Sequence, residues 1–411
     1  MKRVPSLARL RPVLARLHRW VGLVMAGFLL VAGLTGSLMA WTDALEAAIN
    51  PQLFVVAPPA TNASMLDPVV LRERLLASRP DVVVPYLPLN VEAGRSMQFS
   101  VEPRTDAGAQ AELPNDQVFV DPYTGEVLGE RRWGDISQGL KNFMPFVYRL
   151  HHQLALGVFG NYVFGIVALL WTLDCFVGAY LTFPAPARGV PGQASRAARW
   201  WANWKVRWGG GSYKMNFDLH RAGGLWMWAA LLVMAWSSVA FNLSEVYDPV
   251  MDTVLARQRD ETSLPTLDAP LLNPAIDFGQ AREIGRRLLA EQARSGSFAV
   301  HAEDGLAFDP VRGTYRYDVR SSRDIRDRSG ATSVLFDADT GTLKGVWLPT
   351  GAAGADTVRT WLTSLHRAAL WGAPMKLFVC MLGLAVAALS VTGVVIWRRK
   401  QGARSKSMAR R

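Results

Sequence analysis

The sequence predicts an α-helical membrane protein with four transmembrane helices and two α+β domains outside the membrane, arranged as a tandem internal duplication. Three observations predict this class: four long apolar segments, three basic segments without acidic residues, and a hairpin sequence that occurs twice. Half of the 411 residues are hydrophobic, and the mean hydropathy lies just above zero. This balance is too apolar for an ordinary soluble protein and too polar for membrane spans alone.

The four apolar segments are long enough to cross a bilayer, which takes about 20 residues in a helix. The first could be mistaken for a signal peptide. Its apolar part is longer than the roughly 7–15 residues typical of signal peptides, so we expect an uncleaved span. The lipid bilayer is therefore the first expected partner. The predicted spans cover residues 20–41, 162–183, 225–243 and 375–397.

Basic segments predict the orientation of the chain. Residues 1–19 and 184–217 each contain six basic residues and no acidic one, and residues 398–411 contain seven. Because cytoplasmic loops are enriched in Lys and Arg, we expect these segments and both termini in the cytoplasm. Loops 44–160 and 244–374 are then expected on the outer side of the membrane. The net charge of +11 is explained by this topology, and we expect no nucleic-acid partner.

The two outer loops contain matching sequences. VFVDPYTGEVLGE (118–130) corresponds to VLFDADTGTLKGV (334–346), and each predicts a strand, a turn with glycine and a second strand. An amphipathic helix is predicted upstream of each hairpin, at 67–80 and 281–296. The repeated order indicates two copies of a span, an outer domain and a span.

These predictions divide the chain at the expected membrane boundaries. The segments are a basic N-terminus with the first span (1–43), a first outer domain (44–150), a histidine segment with the second span (151–183), a basic Trp-rich loop (184–218), the third span (219–243), a second outer domain (244–360), a histidine segment with the fourth span (361–397) and a basic tail (398–411).

Several motifs together resemble a known family. The duplicated D-x-x-T-G turns, LHRWVGL (17–23), DLHR (218–221) and SVTGVVIWRR (390–399) are similar to the PepSY-associated transmembrane helix family, over about residues 10–400. Its members include iron-regulated inner-membrane proteins and ferric-siderophore reductases that hold haem in a four-helix membrane core. The resemblance implies periplasmic PepSY-like domains and a b-type haem protein that moves electrons across the inner membrane. It does not fix the substrate.

Four histidines stand where apolar segments begin. His18 and His220 precede spans that run outward, and His151 and His366 precede spans that run inward. Ionisable groups at membrane depth are costly and often functional, and neutral imidazole is a good axial ligand for haem iron. A span of about 20 residues is about 30 Å long, so His18 pairs with His220 and His151 with His366. The sequence therefore predicts two b-type haems, one near each face; histidines bonded to headgroups or backbone are the alternative.

An arginine follows three of these histidines. Arg19, Arg221 and Arg367 could neutralise haem propionates; topology signals and lipid contacts are the alternative. His152 occupies the position that matches Arg367, and it could replace His151 as a ligand.

Two further features lie inside the predicted spans. Asp174 could relay protons, stay protonated or bond to a neighbouring span, and we favour the hydrogen bond. Glycines along the first span permit the close approach of a flat macrocycle or of another helix. These glycines are Gly22, Gly27, Gly33 and Gly36.

The sequence predicts a di-haem reductase that passes electrons to a periplasmic acceptor, in the resembled family a ferric siderophore, and releases Fe(II) for iron uptake. No Walker or G-x-G-x-x-G motif is present, so we expect a cytoplasmic protein or a quinol as electron donor. No side chain need act as catalytic acid or base. A haem-free membrane-anchored docking or regulatory protein is the main alternative. A transporter is disfavoured, because the copies share one orientation and the histidines lie at the membrane edges.

Overall fold

The fold is given by a computed structural model that describes residues 7–104, 112–184 and 195–408. Parts of the predicted cytoplasmic segments, residues 1–6, 185–194 and 409–411, lie outside the described residues, as do residues 105–111 of the first outer domain. The helices are α1 (Leu7–Met39), α2 (Thr42–Ile49), α3 (Pro51–Phe54), α4 (Pro68–Ser78), α5 (Phe143–Gln153), α6 (Gly157–Thr182), α7 (Arg196–Trp201), α8 (Ser212–Trp226), α9 (Trp228–Asn242), α10 (Ser244–Asp252), α11 (Phe278–Gly296), α12 (Gly354–His366) and α13 (Gly372–Met408). The strands are β1 (Val82–Val83), β2 (Tyr86–Pro88), β3 (Met97–Ser100), β4 (Glu102–Pro103), β5 (Gln117–Val120), β6 (Val127–Arg131), β7 (Val300–Asp309), β8 (Thr314–Ser321), β9 (Thr332–Asp337) and β10 (Leu343–Trp347).

The membrane part is a ring of apolar helices. Among the residues that the structure describes, three helical segments are long and apolar enough to cross a membrane: Leu10–Met39 of α1, Gly157–Thr182 and Gly372–Ala403 of α13. The pair α8 and α9 has this character only when its two helices are taken together. Helix α1 packs against α6 and α13, α6 packs against α9, and α13 packs against α8, which closes the ring.

The predicted third span, 225–243, is not one straight helix. The chain breaks at Met227, and the axes of α8 and α9 differ by 70°. Gly223 and Gly224 weaken the helix just before the break, since glycine is a poor helix former. Tryptophans fix both sides, because Trp226 donates its indole N–H to the carbonyl of Trp204 and Trp228 donates to the carbonyl of Cys175. Apolar composition predicted the segment but not its bend.

Small residues bring α1 and α13 into close contact. A Cβ atom on Gly33 would lie 2.5 Å from the carbonyl oxygen of Gly383. One turn further along, the hydroxyl of Ser37 donates to the carbonyl of Cys380 at 2.8 Å. Glycine and serine let helix backbones approach closely within a membrane, where packing and interhelical hydrogen bonds hold helices together. Gly33 therefore serves helix packing, whereas a Cβ atom on Gly27 would meet no atom within 4 Å.

Both predicted hairpins are present, with matching turns. Asp121 Oδ1 accepts backbone N–H groups from residues 123 and 124, and Asp337 Oδ1 accepts those of residues 339 and 340. Gly125 (φ +81°) and Gly341 (φ +70°) complete the turns in a left-handed conformation that favours glycine. The predicted amphipathic helices correspond to α4 and α11, and each packs its side chains against the turn glycine.

The two outer segments are not separate domains, contrary to the expected division at 44–150 and 244–360. Strand β2 of the first segment pairs antiparallel with β7 of the second, which gives a five-stranded sheet in the order β10-β9-β8-β7-β2. Strands β3, β5 and β6 form a second sheet. Leu87 on β2 lies opposite Leu306, and both are fully buried in a core built from both segments. The short strand β2 lies at the edge of this sheet and pairs with the longer strand β7. The two segments therefore form one unit.

We expect Gly33→Val to destabilise the bundle, because its side chain would collide with the backbone of α13. Overpacking of this kind costs roughly 1–3 kcal/mol. Gly27→Val is the matched control on the same helix, and it should change stability by less than about 0.5 kcal/mol. Thermal unfolding of the two purified variants in detergent measures the difference. Equal stability of both variants would contradict the close contact of α1 and α13.

Candidate functional site

Four histidines form two pairs at opposite ends of the helical ring. His18 of α1 faces His220 of α8, with 6.3 Å between the ring centroids and 56° between the ring planes. His151 of α5 faces His366 of α12, with 6.2 Å between centroids and 77° between planes. These are the two pairs that the sequence predicts as feasible. We call His18 with His220 the inner pair and His151 with His366 the outer pair.

The outer pair is oriented by two hydroxyl groups within the membrane helices. His151 Nδ1 lies 3.0 Å from Thr35 Oγ1, and His366 Nδ1 lies 2.7 Å from Ser237 Oγ. Each hydroxyl donates its own hydrogen to a carbonyl one turn earlier in its helix, at 2.6 Å for Thr35 and 2.7 Å for Ser237. The hydroxyl oxygens therefore accept from the imidazoles, so the proton of each ring is on Nδ1 and Nε2 carries a free lone pair.

The inner pair is oriented in the same way by different groups. His18 Nδ1 lies 2.9 Å from both carboxylate oxygens of Asp174 on α6. His220 Nδ1 lies 3.1 Å from the carbonyl of Leu389 and from the hydroxyl of Thr392, both on α13. A carbonyl or a carboxylate can only accept, so both rings donate through Nδ1 and keep Nε2 as a lone-pair donor. Asp174 thus bonds to a neighbouring helix, which is the role favoured from the sequence.

The two pairs are distinct sites. His18 belongs to one pair, and Thr35 contacts the other. They are 17 residues apart on the continuous helix α1, a rise of about 26 Å. The outer histidines sit on α5 and α12, and both helices run through the boundaries predicted at 150 and 360. They therefore carry the outer histidines directly from the shared outer unit into the bundle.

A comparison with known families agrees with this architecture. A family model described as PepSY-associated TM region matches residues 15–400. The chain belongs to this family. The match includes all four paired histidines and the shared outer unit. No curated protein matches the chain.

The histidine pairs of this PepSY-associated protein have the spacing of a two-imidazole metal site. A metal–imidazole bond is about 2 Å long, and the ring centre lies about 1 Å behind the nitrogen, so two rings on one metal have centroids about 6 Å apart. Both observed separations agree with this value. Among the described residues, no group of three or more His, Cys, Asp or Glu side chains is placed to hold a metal ion. Two facing imidazoles at this spacing fit a haem iron, for which histidine is a common ligand.

The outer imidazoles are neutral at physiological pH. Withdrawal from water lowers the pKa of His151 to about 4. The same burial, with a smaller contribution from the positive charge of a protonated His151, lowers the pKa of His366 to about 3. Because a metal competes with a proton for Nε2, a low pKa keeps the lone pair available.

Glycines leave open space beside the inner pair. Gly22 and Gly224 each follow a histidine by four residues, so they lie on the same helix face as His18 and His220. A Cβ atom on either glycine would meet no atom within 4 Å, although neither residue is fully exposed. This space suits a flat macrocycle. At the outer pair, a Cβ atom on Gly36 would lie 3.0 Å from His151, so this glycine admits the imidazole itself.

Two inner arginines offer donors to an anion. The Nε atoms of Arg19 and Arg221 are buried and have no hydrogen-bond partner. Such orphaned donors are costly unless a ligand or water satisfies them, and haem propionates are acceptors of this kind. Arg221 also has a structural role, because another of its nitrogens forms an ion pair with the buried Asp218.

The third predicted arginine lies beside one that the sequence analysis missed. Arg367 stacks over the ring of Phe241, 5.2 Å from its centroid, and Phe241 contacts His366. Arg326 donates to Ser364, two residues before His366. The pKa of Arg326 is lowered by burial and by the positive charge of Arg367. Two guanidinium groups thus add positive charge near the outer pair, which favours a bound anion there. No sequence signal placed Arg326 at this position.

The remaining histidines lie apart from the two pairs. His152 packs on the ring of Tyr148, and its Nδ1 contacts the carbonyl of Tyr148. It is therefore His151, and not His152, that faces His366. His301 is exposed on β7. The hydroxyl groups of Thr35, Ser237 and Thr392 were also missed, and their only sequence signal is a polar side chain within an apolar helix.

Proposed function

We propose that this protein is a di-haem reductase of the bacterial inner membrane that transfers electrons from the cytoplasmic side to a ferric siderophore or similar ferric chelate in the periplasm. The observation that carries the proposal is the presence of two imidazole pairs at opposite ends of the bundle, each with metal-site spacing and with both Nδ1 atoms hydrogen-bonded. Bound haem supplies reversible one-electron chemistry at each pair.

The proposed topology has four spans in two tandem copies. The bent pair α8 and α9 forms the third span, and the repeated hairpins and histidine motifs mark the two copies. The acid-free basic segments support a cytoplasmic location of both termini. His18 and His220 are then the cytoplasmic pair, and His151 and His366 lie at the periplasmic face beneath the outer unit.

The chain's own residues hold and orient the cofactors and exclude water. The four imidazoles would hold the haem irons, and the arginines at each end would hold propionates. A ferric chelate at the outer face takes up one electron, and the Fe(II) formed binds hard oxygen ligands more weakly and is released. The donor is a cytoplasmic protein or a quinol, which is oxidised by one electron for each Fe(III) reduced. No side chain acts as acid or base.

We expect the purified protein to contain about two low-spin b-type haems per chain. His18→Ala and His220→Ala should remove one and the same haem, and His151→Ala and His366→Ala should remove the other. His152→Ala is a closely matched control, since His152 neighbours His151 but packs on Tyr148 instead of His366, and this variant should keep both haems. Optical spectra with and without dithionite, together with haem quantification, measure the content. A colourless protein from haem-supplied cells would favour the haem-free docking alternative.

We expect a ferric chelate added outside oriented proteoliposomes to reoxidise the dithionite-reduced protein, with Fe(II) appearing in a chromogenic trap. His366→Ala should slow this oxidation strongly, because electrons would then have to cross most of a bilayer about 30 Å thick. His301→Ala on the exposed outer surface is the control, and it should oxidise at the normal rate. Stopped-flow absorbance measures both. Rapid oxidation by a quinone and none by any ferric chelate would refute the siderophore assignment.

A further inference from the structure

Asp174 is a carboxylate within an apolar helix, and its partner is a candidate ligand. Both oxygens lie 2.9 Å from His18 Nδ1, and the side chain is 11 % exposed. In the part of the chain that the structure describes, no arginine or lysine forms an ion pair with it. A carboxylate at membrane depth costs free energy that a helix without functional need would avoid.

The other three histidines donate to neutral groups. His151 and His366 of the outer pair donate to the hydroxyls of Thr35 and Ser237. His220 donates to a carbonyl and a hydroxyl. The two sites therefore match in histidine number and ring spacing, but only His18 donates its Nδ1 proton to a carboxylate.

A carboxylate acceptor changes the electronic character of an imidazole ligand. It draws the Nδ1 proton toward itself and makes the ring more basic, so the ligand gives more electron density to a metal. The carboxylate charge also stabilises the more positive, oxidised metal, and this effect is strong where water is scarce. Both effects make a metal at the inner site easier to oxidise.

We propose that Asp174 makes the inner site the stronger reductant of the two and so directs electrons outward. This inference rests on the proposed di-haem function. In each transfer the inner centre loses one electron and the outer centre gains one, and no proton need move. The donor that re-reduces the inner centre and the ferric chelate that re-oxidises the outer one complete the balance. Asp174 is a positioning and tuning residue, since it acts through His18.

Redox titration of the purified full-length protein, followed by absorbance, tests the inference. In the wild-type protein, the centre of lower potential should be the one that His220→Ala removes. Asp174→Asn should raise the potential of this centre by at least a tenfold change in its reduction equilibrium, which is about 59 mV for one electron. The outer centre should not shift. Asp174→Glu should restore most of the difference, because it keeps the charge.

Thr172→Val is the matched control on the same helix. Its hydroxyl donates to the carbonyl of Ala168 and contacts no histidine, so both potentials should stay unchanged. An unchanged inner potential in Asp174→Asn would overturn the inference while leaving the di-haem function intact. If Asp174→Asn fails to retain the inner haem, the two potentials of the wild-type protein test the inference instead. A lower potential at the inner centre supports the inference, and a lower potential at the outer centre overturns it. A protein without haem overturns the function and the inference together.

Discussion

A donor buried among apolar helices must find an acceptor, and the four Nδ1–H groups of the paired histidines impose this constraint on the whole bundle. Each acceptor comes from a different helix than its histidine. The contacts tie α1 to α6, α8 to α13, α5 to α1 and α12 to α9. Together they link the helices that pack around the ring. The same four hydrogen bonds thus connect the helices of the bundle and leave the Nε2 atom of each histidine free.

The shared outer unit determines the distance between His151 and His366. Helices α5 and α12 follow the two hairpins, and each carries its histidine near its C-terminal end. If the two outer segments folded separately, the distance between His151 and His366 would depend on the membrane helices alone. Pairing of β2 with β7 joins the segments through one buried core, so both helices extend from one body. The outer unit therefore sets the spacing of His151 and His366, and in the proposed topology it also faces the periplasm.

Local patterns in the sequence predicted the apolar helices, the D-x-x-T-G hairpins and the helices before them, because each depends on neighbouring residues. The histidines were found because all four occupy matched positions. Interactions distant in sequence were not predictable in this way. The three-residue strand β2 pairs with residues more than 200 positions away, the bend at Met227 depends on tryptophans bonded to other segments, and Arg326 reaches the outer pair only through the folded outer unit.

The ends of the bundle also differ in charge, and in the proposed di-haem function this difference would favour one direction of electron transfer. At the inner end, Asp174 lies directly behind His18, and one of the two arginines there, Arg221, is partly neutralised by the buried Asp218. At the outer end, the histidines contact neutral hydroxyls, and Arg326 and Arg367 lie close enough for the charge of one to lower the pKa of the other. An added electron is a negative charge, so it is destabilised near the inner carboxylate and stabilised near the outer guanidinium groups. The positions of fixed charges along the bundle thus supply the asymmetry that two similar histidine pairs lack.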